Sequence, residues 1–395
     1  MKKVELLAPA GDLEKLKIAV LYGADAVFVG SKDFSLRSRA SNFTIEDLAI
    51  ASKFCHEHNA KLYVTTNIVP HNQDLIGLID YLQDLEKAEV DAIICSSYAV
   101  LHTAKKHTNL NVHISTQQSI TNSLGVEFFE SFGASRIVLA RELSIKQIAK
   151  IKEKTNVELE VFIHGGMCSS YSGRCMLSNH LTNRDANRGG CAHSCRWNYR
   201  LFMNDTELTD EEKFQFSSKD LMAVRELPEL IKVADSLKIE GRMKSIHYIA
   251  TVTKVYRKMI DEIYATGTIN DYTYYENEIK KAENRLFASG FLNGMTTVKE
   301  QLYNMRSENP TQDFVGIVTN YDEKTQEATI DVRNNFKPGM TLEAFGPNLD
   351  SKEFKIDVIY NQKGEMVDAA RHPRELITII CPFKLSPYDM LRIKC

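Results

Sequence analysis

Eight short apolar runs punctuate the first 240 residues, and segments with helical periodicity separate most of them. The runs are Leu6–Pro9, Ala26–Gly30, Lys61–Thr65, Ala92–Cys95, Val112–Ser115, Arg136–Leu139, Leu159–His164 and Ser236–Glu240. Leu13–Tyr22 and Ile45–Glu57 show the intervening pattern, the second with Thr44 as N-cap and Asp47 in its first turn. Strands and helices in alternation imply a parallel sheet buried on both faces. Eight units predict a closed (β/α)8, TIM-like barrel over residues 1–300 rather than an open doubly wound sheet. No Gly-x-Gly-x-x-Gly follows the first run, so dinucleotide binding lacks its signature.

One connection breaks the rhythm. Residues 165–235 separate the seventh and eighth runs, far more than one crossover needs. Long loops inside compact domains are usually functional, and after strand seven of a barrel they lie at the catalytic face. After Ser245 a long helix is expected to about Ala265, then a second through Phe287. From Phe314 the pattern shortens to seven strands: 314–320, 328–332, 340–344, 354–360, 366–369, 376–381 and 390–394. Lys337-Pro338-Gly339 and Lys363-Gly364 supply turns between them. The expectation is a second domain over 314–395, a small antiparallel β-barrel joined near 300–313.

Composition narrows the function. The chain has 395 residues, 43% apolar and 26% charged, as in globular proteins, and its net charge of −3 excludes a polycationic nucleic-acid coat. Contact with RNA would need a local basic patch. No apolar run approaches the roughly 18–20 residues that cross a bilayer, and Glu5 and Asp12 interrupt any secretory h-region. No membrane span and a cytoplasmic location are expected. Eight cysteines are too few for a disulfide scaffold and are unevenly spread. Cys55, Cys95, Cys381 and Cys395 are scattered and read as small buried hydrophobes.

The other four fall within the long insertion, about residues 165–215, spaced Cys168-x6-Cys175-x15-Cys191-x3-Cys195. Four thiolates fill a tetrahedral zinc site or hold a [4Fe–4S] cluster. Only Cys191 and Cys195 have zinc-knuckle spacing, so the pattern leans towards iron–sulfur, with zinc as the alternative. Flanking glycines (Gly165-Gly166, Gly173, Gly189-Gly190) argue against four unrelated core thiols.

From Arg174 to Arg200 the insertion carries Arg174, Arg184, Arg188, Arg196 and Arg200 against one acid, Asp185, with Trp197 and Tyr199 interleaved. Guanidinium forks bind phosphate and aromatic faces stack bases, which suits single-stranded RNA. The same cations would also offset a cluster's negative charge. Arg37-Ser38-Arg39 is a second basic element for the same barrel face, with a surface salt-bridge role as its alternative. Strand-end polar groups expected at one mouth are Asp12, Asn67, Gln117-Gln118, Arg141-Glu142, His164 and Glu240-Gly241-Arg242. His164, Glu240 and Arg242 are the catalytic candidates. His164 suits a general acid/base or a histidine bonded behind the cysteines. Glu240 and Arg242 suit a carboxylated small molecule or each other. His-Glu-x-x-His, Gly-x-Ser-x-Gly and Gly-x-x-x-x-Gly-Lys are all missing.

The stretches Leu6-Leu7-Ala8-Pro9-Ala10-Gly11-Asp12, Ala24–Gly30, His164-Gly165-Gly166-Met167-Cys168, Tyr171–Cys175, Asn187–Cys191, Ile239–Arg242 and Glu283-Asn284-Arg285 resemble the peptidase U32 family. The resemblance covers nearly the whole chain. Through Arg184–Cys191 and Cys195-Arg196-Trp197 it is most similar to the branch that hydroxylates the wobble uridine of tRNA. It implies an iron–sulfur protein with Cys168, Cys175, Cys191 and Cys195 as cluster ligands. It also implies tRNA as partner, 5-hydroxyuridine as product and prephenate as hydroxyl source, and it supplies no catalytic residues. Sister branches act on ribosomal RNA or on a quinone ring, and the family label implies a protease, sometimes a collagenase. A zinc-stabilised RNA-binding module is the non-catalytic alternative. A second copy or a paralogous family member is the expected protein partner.

Overall fold

The eight apolar runs form eight parallel strands: β1 (Glu5–Pro9), β2 (Ala26–Gly30), β3 (Lys61–Thr66), β4 (Ala92–Cys95), β5 (Asn111–Ile114), β6 (Arg136–Val138), β7 (Glu158–Gly165) and β8 (Ser236–Ile239). Each pairs with the next in sequence, and β8 pairs with both β7 and β1. That double pairing closes the barrel. The structure is a computed structural model describing residues 3–31, 34, 43–209, 214–282, 285–302 and 312–394. Arg37-Ser38-Arg39, Glu283-Asn284 and Cys395 lie outside the described residues.

Helices α1 (Leu13–Leu21), α2 (Ile45–Glu57), α3 (Leu78–Lys87), α4 (Tyr98–His107), α5 (Ser123–Ser131) and α6 (Ile145–Lys152) connect the first seven strands. The cap expected on α2 is a full capping box. Thr44 Oγ1 accepts from Asp47 N (3.2 Å) and the Asp47 carboxylate accepts from Thr44 N (3.1 Å). Cys55 on α2 and Cys95 on β4 are buried, as is Cys381, and burial pushes all three thiols up. These are core residues.

The barrel interior has an apolar middle of Leu7, Ala26, Phe28, Tyr63, Ala92 and Ile94. Around the N-terminal parts of the strands lies a set of buried charges. Arg136 donates to Glu5 (2.5 Å), Glu158 (2.7 Å) and Glu160 (3.2 Å), and Lys238 donates to Glu160 (2.7 Å). The Tyr63 hydroxyl donates to Glu5 (2.7 Å).

After β7 the chain makes the insertion, including the short helix α7 (Leu177–Thr182), then α8 (Leu227–Val233) returns it to β8. Helix α9 (Ile246–Thr266) matches the long helix expected after Ser245. The second helix does not reach Phe287. It is α10 (Tyr272–Lys280), and Phe287–Ala288 is instead a strand beside Asp220–Met222, which pairs antiparallel with the end of β7.

The C-terminal region is one antiparallel sheet of eight strands rather than seven. The run over Phe354–Tyr360 splits. Lys352–Lys355 pairs with Thr341–Phe345 at one edge, and Ile359–Tyr360 pairs with Leu376–Ile380 towards the other. The sheet curls enough for three residues to pass between its edge regions, with Ile356 N donating to Met340 O on the way (2.9 Å). It rests on α1, α9 and α10. Arg392, fully buried, pairs with Glu343 (2.5 Å) and Glu278 (3.0 Å), and Lys254 donates to the carbonyls of Gly346 and Leu349 (both 2.5 Å). Among the described residues, no helix is long and apolar enough to cross a membrane.

Candidate functional site at the C-terminal mouth of the barrel

The cysteine-bearing segment lies over the C-terminal ends of the strands, and the polar groups expected there are what fasten it. Ser172 donates from Oγ (2.8 Å) and N (3.0 Å) to Glu142, just past β6, and its Oγ accepts from Arg141 N (3.3 Å). Gly173 packs so closely on the Gln117 backbone that a Cβ there would sit 2.4 Å from its Cα, and its φ of +75° also favours glycine. Ser119 donates to Ser172 O, and Arg174 donates to Ser119 Oγ (3.3 Å). Asn67 donates to Gln117 (2.7 Å), tying the ends of β3 and β5. Asn187 O accepts from Val69 N (3.1 Å), joining the insertion to the loop after β3. Asp12 instead caps α1, accepting from Lys15 N (2.9 Å).

Cys168 and Cys191 are exposed, Cys175 and Cys195 half-buried, and none forms a disulfide. Burial raises the Cys168 thiol; the Ser170 backbone and Arg141 oppose this, while Cys195 and Cys175 add to it. Those three cysteines therefore share one electrostatic neighbourhood. Among the described residues, no three cysteines, histidines or carboxylates gather closely enough to hold a metal ion. The donor set suits a thiolate-held group in number and chemistry.

The arginines divide into two sets. Arg188 forms an ion pair with Asp74 (2.6 Å) and contacts His71 (3.0 Å), and Arg200 pairs with Glu207 (2.5 Å). Their charge is already matched. Arg174 is exposed, and Arg184 Nε is buried with no hydrogen-bond partner among the described residues. The Arg196 guanidinium comes to 3.3 Å from the point where a Gly166 Cβ would be. Trp197 is exposed, whereas Tyr199 is half-buried and donates to Ser194 O (2.6 Å).

The catalytic candidates lie deeper. His164 is 1% exposed, ringed by Tyr248, Tyr256 and Phe287 at centroid distances of 5.8, 5.5 and 5.4 Å. Burial, aided by the nearby Lys244 charge, pushes its pKa down to about 3, so the ring is neutral at pH 7. Its Nδ1 lies 3.3 Å from the Tyr256 hydroxyl. Either role expected of His164, acid/base or support behind the cysteines, would have to be carried by an enclosed ring. Arg242 is buried and donates inward to Thr65 Oγ1 (3.1 Å). Glu240, half-buried, has its carbonyl oxygen 2.4 Å from a Cβ built on Gly165, whose φ is +104°. Only glycine permits β7 and the end of β8 to approach so closely. Sequence reasoning missed Ser119 and Asp74, because each acts through a partner more than 50 residues away.

Residues 11–302 match peptidase family U32, and residues 310–392 match the peptidase family U32 C-terminal domain. The chain is 48% identical to "tRNA hydroxylation protein P1" of Bacillus subtilis (strain 168), over 99% of this chain and 95% of that protein. It is 33% identical to "tRNA hydroxylation protein P" of Escherichia coli (strain K12), over 94% and 92% respectively. It is also 38% identical to the "23S rRNA 5-hydroxycytidine C2501 synthase" of Escherichia coli (strain K12), over 66% of this chain and 40% of that one.

Proposed function

Because this chain belongs to peptidase family U32, and because its insertion lays four thiols and a basic, aromatic surface over a barrel mouth, we propose that it is an RNA-modifying enzyme hydroxylating a nucleobase of tRNA in the cytoplasm. The proposed product is 5-hydroxyuridine at the wobble position, with prephenate as hydroxyl source. Cys168, Cys175, Cys191 and Cys195 would hold a [4Fe–4S] cluster. Such a cluster supplies electron-transfer chemistry whose potential depends on nearby charge, hydrogen bonds and solvent exposure.

This chain's own residues bind and orient. Arg174, exposed, and Arg184 and Arg196, half-buried, would contact RNA phosphates, and Trp197 would offer its exposed ring to a base. Arg188 and Arg200 instead hold the insertion in shape through Asp74 and Glu207. His164, neutral and enclosed, packs the end of β7 against Tyr248 and Tyr256 of α9 and against Phe287. The observation that carries the reading is the placement of the cysteine segment on the strand ends of β5, β6 and β7, where barrel enzymes do their chemistry. Relatives named for tRNA hydroxylation and aligned over nearly the whole chain support the choice of substrate.

A peptidase reading gains no support from Ser172, the serine fastened over the strand ends. Ser172 is 2% exposed and its hydroxyl donates to Glu142, so it ties a loop and is not primed by a histidine. The test is to express this chain in cells lacking their own tRNA hydroxylation proteins and to analyse tRNA nucleosides by mass spectrometry. Restored 5-oxyuridine derivatives are expected, and their continued absence would reject the substrate.

A further inference from the structure

The ribbon beside the end of β7 carries a buried carboxylate. Asp220 is 3% exposed, on the strand Asp220–Met222 that pairs with His164 and Gly165 on one side and with Phe287–Ala288 on the other. The ribbon is fastened independently of the cysteines. Asp220 N donates to Leu286 O, Lys219 N to Glu300 O and Ala223 N to Ile163 O, all at 2.9 Å. The Asp220 carboxylate meets Arg285 through one long contact, Nη1 to Oδ1 at 3.4 Å. A carboxylate taken so far from water needs nearby positive charge.

The chain leading to Cys168 lies on this ribbon residue by residue. Gly165 pairs with Leu221. Gly166 comes next, and Asp220 Oδ1 lies 3.9 Å from the position its Cβ would take. Met167 then packs beside Leu221: Met167 Cε and Leu221 Cδ1 each lie 3.4 Å from the Cβ position of Gly290, just past Phe287–Ala288. Cys168 follows. From the far end of the four-thiol segment, Arg196 brings Nη2 to 3.3 Å from the same Gly166 point. Arg196 is the neighbour of Cys195. A carboxylate and a guanidinium thus flank one glycine, and the approaches to the first and last thiols meet at one buried charge.

We propose that Asp220 is a positioning residue for the thiols, holding Arg196 across Gly166 so that Cys168 and Cys195 are presented together to the group they share. This rests on the thiolate-held group of the reading above and adds what sets the donors' approach. Donors ordered in advance lose less freedom on binding. Residues behind metal ligands typically change affinity 10–100-fold when replaced, roughly the scale expected here. A guanidinium has about five N–H donors, so Arg196 keeps others for an RNA phosphate. Gly166 is the spacer, and any side chain there enters the gap between the two charges.

The test follows iron release from the full-length protein, purified under nitrogen, into an excess of the chelator ferrozine. Asp220→Asn should speed release roughly 10- to 100-fold, with the far-ultraviolet circular dichroism of the barrel unchanged. Arg196→Gln should do the same, and the double variant should release iron no faster than the quicker single variant, because both remove one interaction. Asp220→Glu should restore slow release, which mere filling of space would not predict. Gly166→Ala leaves both charges in place and should still speed release. Wild-type rates in Asp220→Asn, or effects of the two single variants that multiply in the double, would overturn the positioning role. A wild-type protein that holds no iron would instead sink the cluster reading, and this inference with it.

Discussion

At the N-terminal end of the barrel Glu5, Arg136, Glu160 and Lys238 are drawn inside and matched to one another, whereas at the C-terminal end the insertion leaves thiols, arginines and aromatic rings half-open to solvent. The first arrangement spends burial on specificity of packing. Burial opposes the ionised forms there, yet the Arg136 guanidinium still holds Glu5 below its ordinary range, and the surrounding carboxylates hold Arg136 above its own. His113, buried beside Arg136 and Lys238, is pushed well down and stays neutral. The second arrangement leaves side chains available. The hydrogen bonds of Ser172, Ser119 and Asn187 fasten the loop, and the cysteines themselves are not locked.

The sharpest way to break this contrast is Arg136→Met. Glu5 would lose its cation and fully buried Glu160 one of its two, a loss worth about 3–5 kcal/mol. Urea unfolding should show that loss, or the chain should fail to accumulate as folded protein. A loss below about 1 kcal/mol would mean that water reaches those carboxylates.

Glu142→Ala tests the other end. It removes both acceptors of Ser172, so hydrogen exchange across 168–200 should speed up at least tenfold. Global stability should change by only about 1–2 kcal/mol, since the barrel core is untouched. A cooperative loss of the whole barrel would show that the two ends are not separable.

The smallest effect lies at the seam with the C-terminal sheet. Burial opposes ionisation of Glu343, and Arg392 more than offsets it, lowering its pKa from 4.5 to about 2. A depressed carboxylate contributes stability that is present above pH 4.5 and is lost as pH falls towards 2. Glu343→Gln should flatten that acid limb of the stability curve. An unchanged limb would place the acid sensitivity elsewhere.

Much of the barrel was legible because its signals are local. Continuous β-branched runs, Thr44 three residues before Asp47, and the interval of residues 165–235 each announce themselves within a few dozen positions. What was hidden depends on distant partners. Arg188 looks like an RNA contact until Asp74 is seen against it, and nothing near Arg136 in the sequence announces Glu5, its partner from 131 residues away. His164 sits at a strand end as a catalytic group would, but its burial is set by Tyr248, Tyr256 and Phe287, all beyond β8. The Phe354–Tyr360 run is apolar enough for one strand, and only the curl of the sheet breaks it. The four clustered cysteines all fall in the long connection after β7, but sequence spacing alone does not say how their thiols are arranged.

The central claim is that these four thiols close around iron. Purification under nitrogen, with metal analysis and a visible spectrum, tests it directly. The account predicts a brown protein with about four irons per chain, bleached by Cys191→Ser without loss of the barrel's circular dichroism. A colourless wild-type protein that holds one zinc per chain, or that takes up no iron on anaerobic reconstitution, would contradict it.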